Sequence, residues 1–459
     1  MKIIILFPQV SADKFATLGQ NRQFQYFKDP TFIYPIVPAY MATTLKNNGH
    51  DVIWLDCISE DISIYKMYSI IKKENPDFIL IETKTPVIKK EWNIVNKIKN
   101  ISTAKIILYG DHVTALPKDS IDKGVDYILT GGDYDIIFPK IIDNIESLNT
   151  KIIDCCANNI ESIPHINRRL TKWENYAYKN GNYRELPGTY IMSARDCWWG
   201  KCTFCSWTQL YKKYKTKTPY SVICEIHELV TKYKIKEIMD DSGSFPIGEW
   251  LKEFCDMMIF YGLNKKVKIN CNMRFGILSY DEYKLMKKAG FRMVLFGIES
   301  ANDETLKKIN KGITAKQILN SCKLARKAGL YPHITVMFGY PWETNKDIDN
   351  TYKFIRELLL KGYAYTMQAT IITPYPGTQL FKELSEQNLI KTYDWSKYDM
   401  EHEIIKNVDY KYINETISKL YKTSFSFRFL FGKILSIRNH SDIKFFMRIL
   451  KKVLSHAKR

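Results

Sequence analysis

Residues 195–207 read RDCWWGKCTFCSW and place three cysteines, Cys197, Cys202 and Cys205, in one short loop with no histidine and no fourth cysteine close by. Thiolates select zinc or iron–sulfur clusters. A structural zinc site wants four protein ligands, and three thiols in one loop supply three corners. The nearest further candidates, Cys224 and His227, fall in a predicted helix too far along to close the site at finger spacing. A cubane held by three cysteines leaves one iron open to a substrate or cofactor. An open coordination position marks a catalytic site rather than a structural one, so the missing fourth ligand is informative. The remaining cysteines, Cys57, Cys155, Cys156, Cys224, Cys255, Cys271 and Cys322, are scattered, and a reading as small buried hydrophobes suits most of them.

Such a loop needs rigid elements to hold it. From Gly188 the chain alternates apolar runs with helical patterns: 189–194, 235–241, 267–273, 291–299, 331–340 and 364–372 read as strands. Six consecutive βα units predict a parallel barrel, complete or partial, whose chemistry sits at the C-terminal strand ends. The cysteines follow directly after the first of these strands. Residues 1–146 show the same alternation, with strand candidates 3–7, 51–55, 78–81, 105–110 and 126–130. That pattern predicts a doubly wound parallel sheet, with ligands beyond its carboxyl edge. The domain expectation is therefore α/β throughout: a wound domain over 1–146, a linker over 147–187, a partial (βα)6 barrel over 188–400, and a helical, basic C-terminal region over 401–459.

Composition narrows the class. The chain has 459 residues, 45% of them hydrophobic and 14% aromatic, which suits two or three well-buried domains. The formal charge of +19 favours anionic partners but says nothing of fold. The opening MKIIILFPQV lacks the apolar length of a signal peptide, and no stretch approaches the ~18 apolar residues of a spanning helix. The expectation is a cytoplasmic protein with reduced thiols. From about Lys422 basic and apolar residues interleave, which suits either an amphipathic helix on an anionic membrane surface or a helix packed on the protein with a solvated basic face.

The cysteine loop resembles the cluster loop of the radical S-adenosylmethionine (SAM) superfamily. Its spacing is C-x4-C-x2-C where that family usually has C-x3-C-x2-C, so Trp198, Trp199, Gly200 and Lys201 include one extra residue. DDSGSF (240–245), NMR (272–274), FGIESANDETLKKINKGIT (296–314), MFGYPWET (337–344) and TPYPGT (373–378) resemble strand-end segments of the cobalamin-associated branch. The resemblance implies a 4Fe-4S cluster on Cys197, Cys202 and Cys205, with SAM chelating the open iron. It places Phe204 near the adenine and Asp241 with Ser242 beside the methionyl group. Asp241 and Glu299 would meet SAM's cation side or ribose, and Arg274 its carboxylate. A structural salt bridge or core packing is the plainer alternative for each. YPIVPAYMATTLKNNGHDVIWLD (34–56) and YGDHVTALP (109–117) resemble a flavodoxin-like cobalamin-binding domain, with Asp56, Gly110, His112 and Gly131 as candidate contacts. The D-x-H-x-x-G pattern that puts a histidine on cobalt is absent, so cobalamin is expected to bind without one.

The function expected from this resemblance is reductive cleavage of SAM to a 5′-deoxyadenosyl radical. That radical would modify an unactivated carbon by methylation, cyclisation or rearrangement, with cobalamin. Implied partners are a small-molecule, lipid or peptide substrate and an electron donor such as flavodoxin or ferredoxin. One alternative is a radical SAM maturase of a ribosomally made peptide without cobalamin. Another is a zinc- or cluster-containing nucleic-acid-binding protein, against which stands the even spread of the basic residues. A tRNA- or ribosomal-protein-modifying relative would carry a further group of cysteines near the N-terminus, where only Cys57, Cys155 and Cys156 occur.

Overall fold

The computed structural model describes residues 1–11, 15–16, 26–27, 31–181, 183–424, 426, 429, 443–445 and 447. Six strands form the first sheet: β1 (Lys2–Phe7), β2 (Asp51–Asp56), β3 (Phe78–Thr83), β4 (Lys105–Gly110), β5 (Tyr127–Thr130) and β6 (Ile152–Asp154). All pairs are parallel and the order is β2-β1-β3-β4-β5-β6. This is the flavodoxin-like order with one strand added. The direction of winding reverses between β1 and β3, where such sheets bind ligands. The runs IIILF and ILI are buried on both faces because helices cover both. Helix α1 (Ile36–Asn47) and helix α2 (Ile88–Lys99) show why. Ile94, Val95 and Ile98 of α2 are buried while Lys89, Lys90 and Lys97 are exposed, an apolar stripe at helical spacing.

The sheet extends past residue 146: β6 is cut from the segment expected to be a linker. The rest of that segment is a packed seam rather than a loose connection. Arg168 is buried and donates to the Thr189 hydroxyl and the Tyr190 carbonyl, the latter at 2.8 Å. Asn180 donates to the Phe32 carbonyl at 3.0 Å and Tyr190 at 3.1 Å. A three-residue strand and scattered polar anchors leave no periodic trace in sequence, which is why this stretch reads as a connector.

The second sheet holds β7 (Gly188–Ile191), β8 (Glu237–Asp240), β9 (Lys268–Met273), β10 (Phe291–Glu299), β11 (Tyr331–Phe338) and β12 (Thr366–Ile371), parallel and in chain order. It is an open half-barrel of six βα units. Helix starts are fixed by local chemistry: reciprocal capping boxes at Ser279/Glu282, Thr314/Gln317 and Thr344/Asp347 satisfy the first backbone N–H groups. A helix over Tyr410–Thr423 returns to the barrel, where Tyr412 donates to Asp349 at 2.8 Å. The expected basic amphipathic helix of the tail lies almost wholly outside the described residues. Among those residues no helix is long and apolar enough to cross a membrane.

One hydrophobic cluster runs through both sheets, and buried charges pin them together. Arg195, just after β7, reaches both oxygens of Asp135 at 2.7 and 2.6 Å and Asp133 at 3.1 Å. Lys215 also pairs with Asp133. On the other side Lys217 meets Glu225 and the Tyr40 hydroxyl of α1, both at 3.2 Å. The carboxyl edges of the two sheets thereby face each other across a shared interface.

Candidate functional site

Beyond β7 the chain pairs briefly with itself: Ala194–Arg195 runs antiparallel to Lys215–Thr216. This clasp closes the cysteine-bearing excursion into a hairpin-necked loop. Ser242 accepts the Ala194 N–H at 2.8 Å, and Asp240 accepts the Ser193 N–H at 3.1 Å. Asp196 accepts the Gly243 N–H, and a Cβ at Gly243 would collide with that carboxylate. Thr203 donates its N–H to the Ile309 carbonyl at 3.1 Å and accepts from Leu380 at 2.9 Å. The loop is thus tied to the ends of β8, to the segment after β10 and to the segment after β12.

The three thiols face a mixed field. Burial pushes the Cys202 thiol up, while the Lys311 ammonium and Arg274 guanidinium pull it down. Burial and then Cys202 itself raise Cys205, whose neighbours also include Asp196 and Cys197. Among the described residues no three His, Cys, Asp or Glu side chains stand close enough to share one metal ion. A cubane spreads its thiolates over separate irons and asks for no such closeness.

Phe204, Arg274 and Glu299 converge on this loop. Phe204 is buried with the Lys311 ammonium 5.7 Å from its ring centroid. Glu299 pairs with Lys311 at 2.6 Å, so one carboxylate oxygen is already engaged. Arg274 donates to the Lys311 carbonyl and lies over the Trp199 and Trp198 rings at 4.5 and 5.3 Å. Asp241 and Ser242 sit fully buried at the end of β8 on the other flank, where the Ser242 hydroxyl is committed to the loop backbone. Burial lifts the adjacent Asp240 to about 6.

Several buried polar atoms here have no hydrogen-bond partner: the Tyr214 and Tyr340 hydroxyls, Thr203 Oγ1, Ser244 Oγ, Trp198 Nε1 and Arg274 Nε. Leaving each unpaired costs about 1–3 kcal/mol, so a polar ligand at the barrel mouth recovers that energy. The donor set fits SAM, which carries a carboxylate, an ammonium and ribose hydroxyls.

A narrow cleft opens between the two sheet edges, lined by Lys84, Thr85 and Pro86 after β3, Asp111 after β4, Ser206 and Gln209 after the third cysteine, and Tyr375 with Pro376 after β12. Lys84 is held by Asp111 at 3.1 Å and Glu82 at 3.4 Å. Of the four residues expected to contact cobalamin, none is in this lining itself; Gly110 and His112 flank Asp111 in the chain, and His112 also meets the Thr85 hydroxyl. A Cβ at Gly110 would come 2.8 Å from the Thr83 carbonyl, so the glycine is required by close strand approach. Gly131 is confined likewise, 2.7 Å from the Cys155 carbonyl. Asp56 accepts from the Ile58 and Ser59 N–H groups at 2.9 and 3.0 Å and from Tyr176. His112 is buried between Trp92 and Trp395, ring centroids 6.2 and 5.8 Å away, with Nδ1 3.2 Å from the Thr85 hydroxyl. Burial drops its pKa to about 3. Its ring thus packs between two indoles behind the cleft, with Nδ1 on a hydroxyl of the lining.

Residues 191–355 match the model of the radical SAM superfamily. The chain thus carries a radical SAM domain. An uncharacterised methyltransferase of Pyrococcus horikoshii is 29% identical over 87% of this chain and 89% of its own length. The anaerobic magnesium-protoporphyrin IX monomethyl ester cyclase of Cereibacter sphaeroides is 25% identical over 81% of this chain; the match spans 63% of that relative. The solved cobalamin-dependent SAM radical enzyme OxsB, with aqua-cobalamin and SAM bound, superposes with TM-score 0.70 at 13% identity, covering 98% of this chain and 70% of its own. That likeness is one of fold: a wound domain ahead of a half-barrel.

This radical SAM chain also uses residues that sequence reasoning passed over. Lys311 touches Glu299, Arg274 and Phe204 at once, yet its signal was only a lysine inside the INKG stretch. Arg195, Asp133, Asp135 and Lys215 form the buried clamp between domains; the aspartates lie beside Gly131 and Gly132, which did mark a strand end. Trp199 is set by Asn310 and Gly312, far along the chain.

Proposed function

We propose that this radical SAM enzyme holds a 4Fe-4S cluster on Cys197, Cys202 and Cys205, binds SAM at the barrel mouth, and carries cobalamin in the cleft between the sheets. Its reaction would be methylation of an unactivated carbon of a small molecule, with cyclisation as the alternative outcome. The observation that carries this reading is the placement of three thiols and several unpaired buried donors at a barrel mouth that faces the carboxyl edge of a flavodoxin-like sheet. When bound, the cluster and SAM supply a 5′-deoxyadenosyl radical, and cobalamin supplies a methyl carrier.

The chain's residues then have separable tasks. Arg274 offers Nε to the SAM carboxylate, its plane braced by two indoles. Asp241 and the Glu299–Lys311 pair define the cation and ribose side. Tyr214 and Tyr340 line the mouth with hydroxyls that exclude bulk water once paired. Asp135 and Asp133 hold Arg195, two residues before Cys197, so the loop keeps its station against the cleft. Lys84 and Asp111 face cobalamin with a charge pair already internal to the protein, and no histidine reaches the cleft.

An electron donor of the flavodoxin or ferredoxin kind and a cytoplasmic setting follow from the need for a reduced cluster. Contact of the basic tail with an anionic membrane surface belongs to the same proposal and is read by vesicle flotation. The test of function is anaerobic reconstitution with iron, sulfide and hydroxocobalamin, followed by SAM and dithionite. Brown protein that releases 5′-deoxyadenosine is expected, and Cys202→Ala abolishes both. S-adenosylhomocysteine alongside it marks methyl transfer; its absence marks the cyclisation outcome. Colourless protein with stoichiometric zinc contradicts the reading.

A further inference from the structure

The end of the half-barrel away from the cysteines has a charge of its own. Strands start and helices end there, so the turns that enter the strands share one face. Backbone bonds join them: the Lys236 N–H donates to the Pro187 carbonyl at 2.8 Å, the Lys268 N–H to the Lys236 carbonyl at 2.9 Å, and the Ile269 N–H to the Gly290 carbonyl at 3.2 Å. Asn264 donates to the Lys288 carbonyl at 3.0 Å, and Arg326 to the Gly362 carbonyl at 2.9 Å. The turns 231–236, 260–267, 287–290, 326–330 and 361–365 carry ten lysines and arginines and no acid. The mouth end, by contrast, holds Asp196, Asp241, Glu299 and Glu343.

Only part of this charge is neutralised locally. Lys232 pairs with Glu228 at 2.9 Å, Lys361 with Glu357 at 2.6 Å, Arg292 with Glu237 at 2.5 Å and Arg184 with Glu185 at 3.8 Å. Lys234, Lys236, Lys265, Lys266, Lys288 and Lys327 are exposed and enter no ion pair among the described residues. Partial burial, then the like charges of Lys268, Arg184, Arg292 and Arg326, hold Lys287 below its ordinary range. Two exposed acids adjoin the face: Asp256, one turn before Phe260, and Glu174, beside the Trp173 that meets the Tyr233 ring. Apolar side chains project among the lysines. Phe260 is 83% exposed, with the Tyr261 ring 5.0 Å away. Phe445 is buried over Arg292, which seats this part of the tail on the base, while Ile443 and Met447, one helical turn apart, are exposed.

Helix ends favour cations because of the macrodipole, which accounts for Lys287, Lys288 and Lys327. It gives no reason for Lys234 and Lys236 beyond a helix end, or for an aromatic ring left in water. We propose that the barrel base docks on an anionic phospholipid bilayer, its lysines meeting the headgroups while Phe260, Tyr261, Ile443 and Met447 enter the interface. Each lysine near such a surface adds attraction, and each apolar side chain adds insertion. Nucleic acid would also draw the cations, but aliphatic Ile443 and Met447 gain from hydrocarbon and not from stacking on bases. Seated this way, the mouth and the cysteine loop point away from the lipid. The inference deepens the tail contact proposed above and rests on it, and its test separates the two.

The anaerobically reconstituted full chain is floated with vesicles of phosphatidylcholine alone, or of phosphatidylcholine and phosphatidylglycerol in equal parts. Flotation is expected with the anionic vesicles only and should weaken as salt rises. K265E/K266E/K288E should lower the affinity about tenfold or more, and F260S should lower it in the same direction. These side chains are exposed and remote from the mouth, so the urea midpoint and dithionite-driven SAM cleavage without vesicles should not change. Equal flotation of wild type and both variants overturns the base and leaves the tail contact standing; wild type that does not float defeats both. Single-stranded RNA that displaces the vesicles and binds F260S as well as wild type puts nucleic acid on this face and also overturns the proposal. Absence of SAM cleavage in the wild type defeats the enzymatic reading instead, and flotation still decides the docking face.

Discussion

Both sheets end in buried polar side chains at their carboxyl edges, but the two sets are settled in different ways. Behind the cleft, Lys84 sits between Asp111 and Glu82, and the fully buried Glu91 lies beyond. Burial lifts Glu82 to about 7 against the pull of Lys84, and burial with the nearby Glu82 lifts Glu91 further. These acids can settle by keeping a proton. At the barrel mouth the unpaired groups are hydroxyls, an indole N–H and a guanidinium N–H, which protonation does not satisfy. The lesson is that the first edge can neutralise its own charges, although the Tyr109 hydroxyl and His112 Nε2 stay unpaired there, whereas the neutral and cationic donors of the second await polar partners.

The comparison can be broken most forcefully at the clamp that joins the two regions. Asp135→Ala leaves Arg195 buried and half-paired, and breaking such a pair costs about 3–5 kcal/mol. Urea unfolding should show a large drop in midpoint; an unchanged midpoint would mean the clamp is dispensable. Glu82→Gln comes next. Between about 4.5 and 7 the unfolded chain releases the Glu82 proton while the folded chain keeps it, so wild-type stability falls as pH rises through that window and then levels. The fall is on the order of 3 kcal/mol at 1.36 kcal/mol per unit. The variant should lack it, with a gap to wild type that is widest at pH 8 and closes near pH 4.5. Parallel stability curves would show that Glu82 ionises freely.

Arg274→Ala tests the other edge. Loss of a charge-assisted hydrogen bond of about 1.5–3 kcal/mol should weaken SAM binding by roughly tenfold or more, read by equilibrium dialysis with iron content unchanged. Arg274→Lys should restore little, since lysine lacks the planar fork. The smallest effect is expected at His112. His112→Gln should leave the absorption spectrum of bound cobalamin unchanged; a shifted spectrum would put that imidazole on cobalt.

Legibility in the sequence followed range. The cysteine loop was readable because its spacing is local, and eleven of the twelve strands of the two parallel sheets because buried parallel strands are apolar runs. β6 was missed since IID is too short to carry a pattern. The site's charged partners were harder. Arg195 and Asp135 lie 60 residues apart, Arg274 and the Lys311 carbonyl 37. Nothing local in either sequence neighbourhood names the other. Asp56 and His112 had the right residue types at the right strand ends, but only packing shows Asp56 turned to Tyr176 and His112 caged by two tryptophans.

The most direct measurement is the low-temperature EPR spectrum of the dithionite-reduced, reconstituted protein with and without SAM. A cubane on three thiolates with one open iron predicts a 4Fe-4S signal that changes shape when SAM is added and vanishes in each of Cys197→Ala, Cys202→Ala and Cys205→Ala. A signal indifferent to SAM, or one that survives loss of any of the three thiols, would contradict the account.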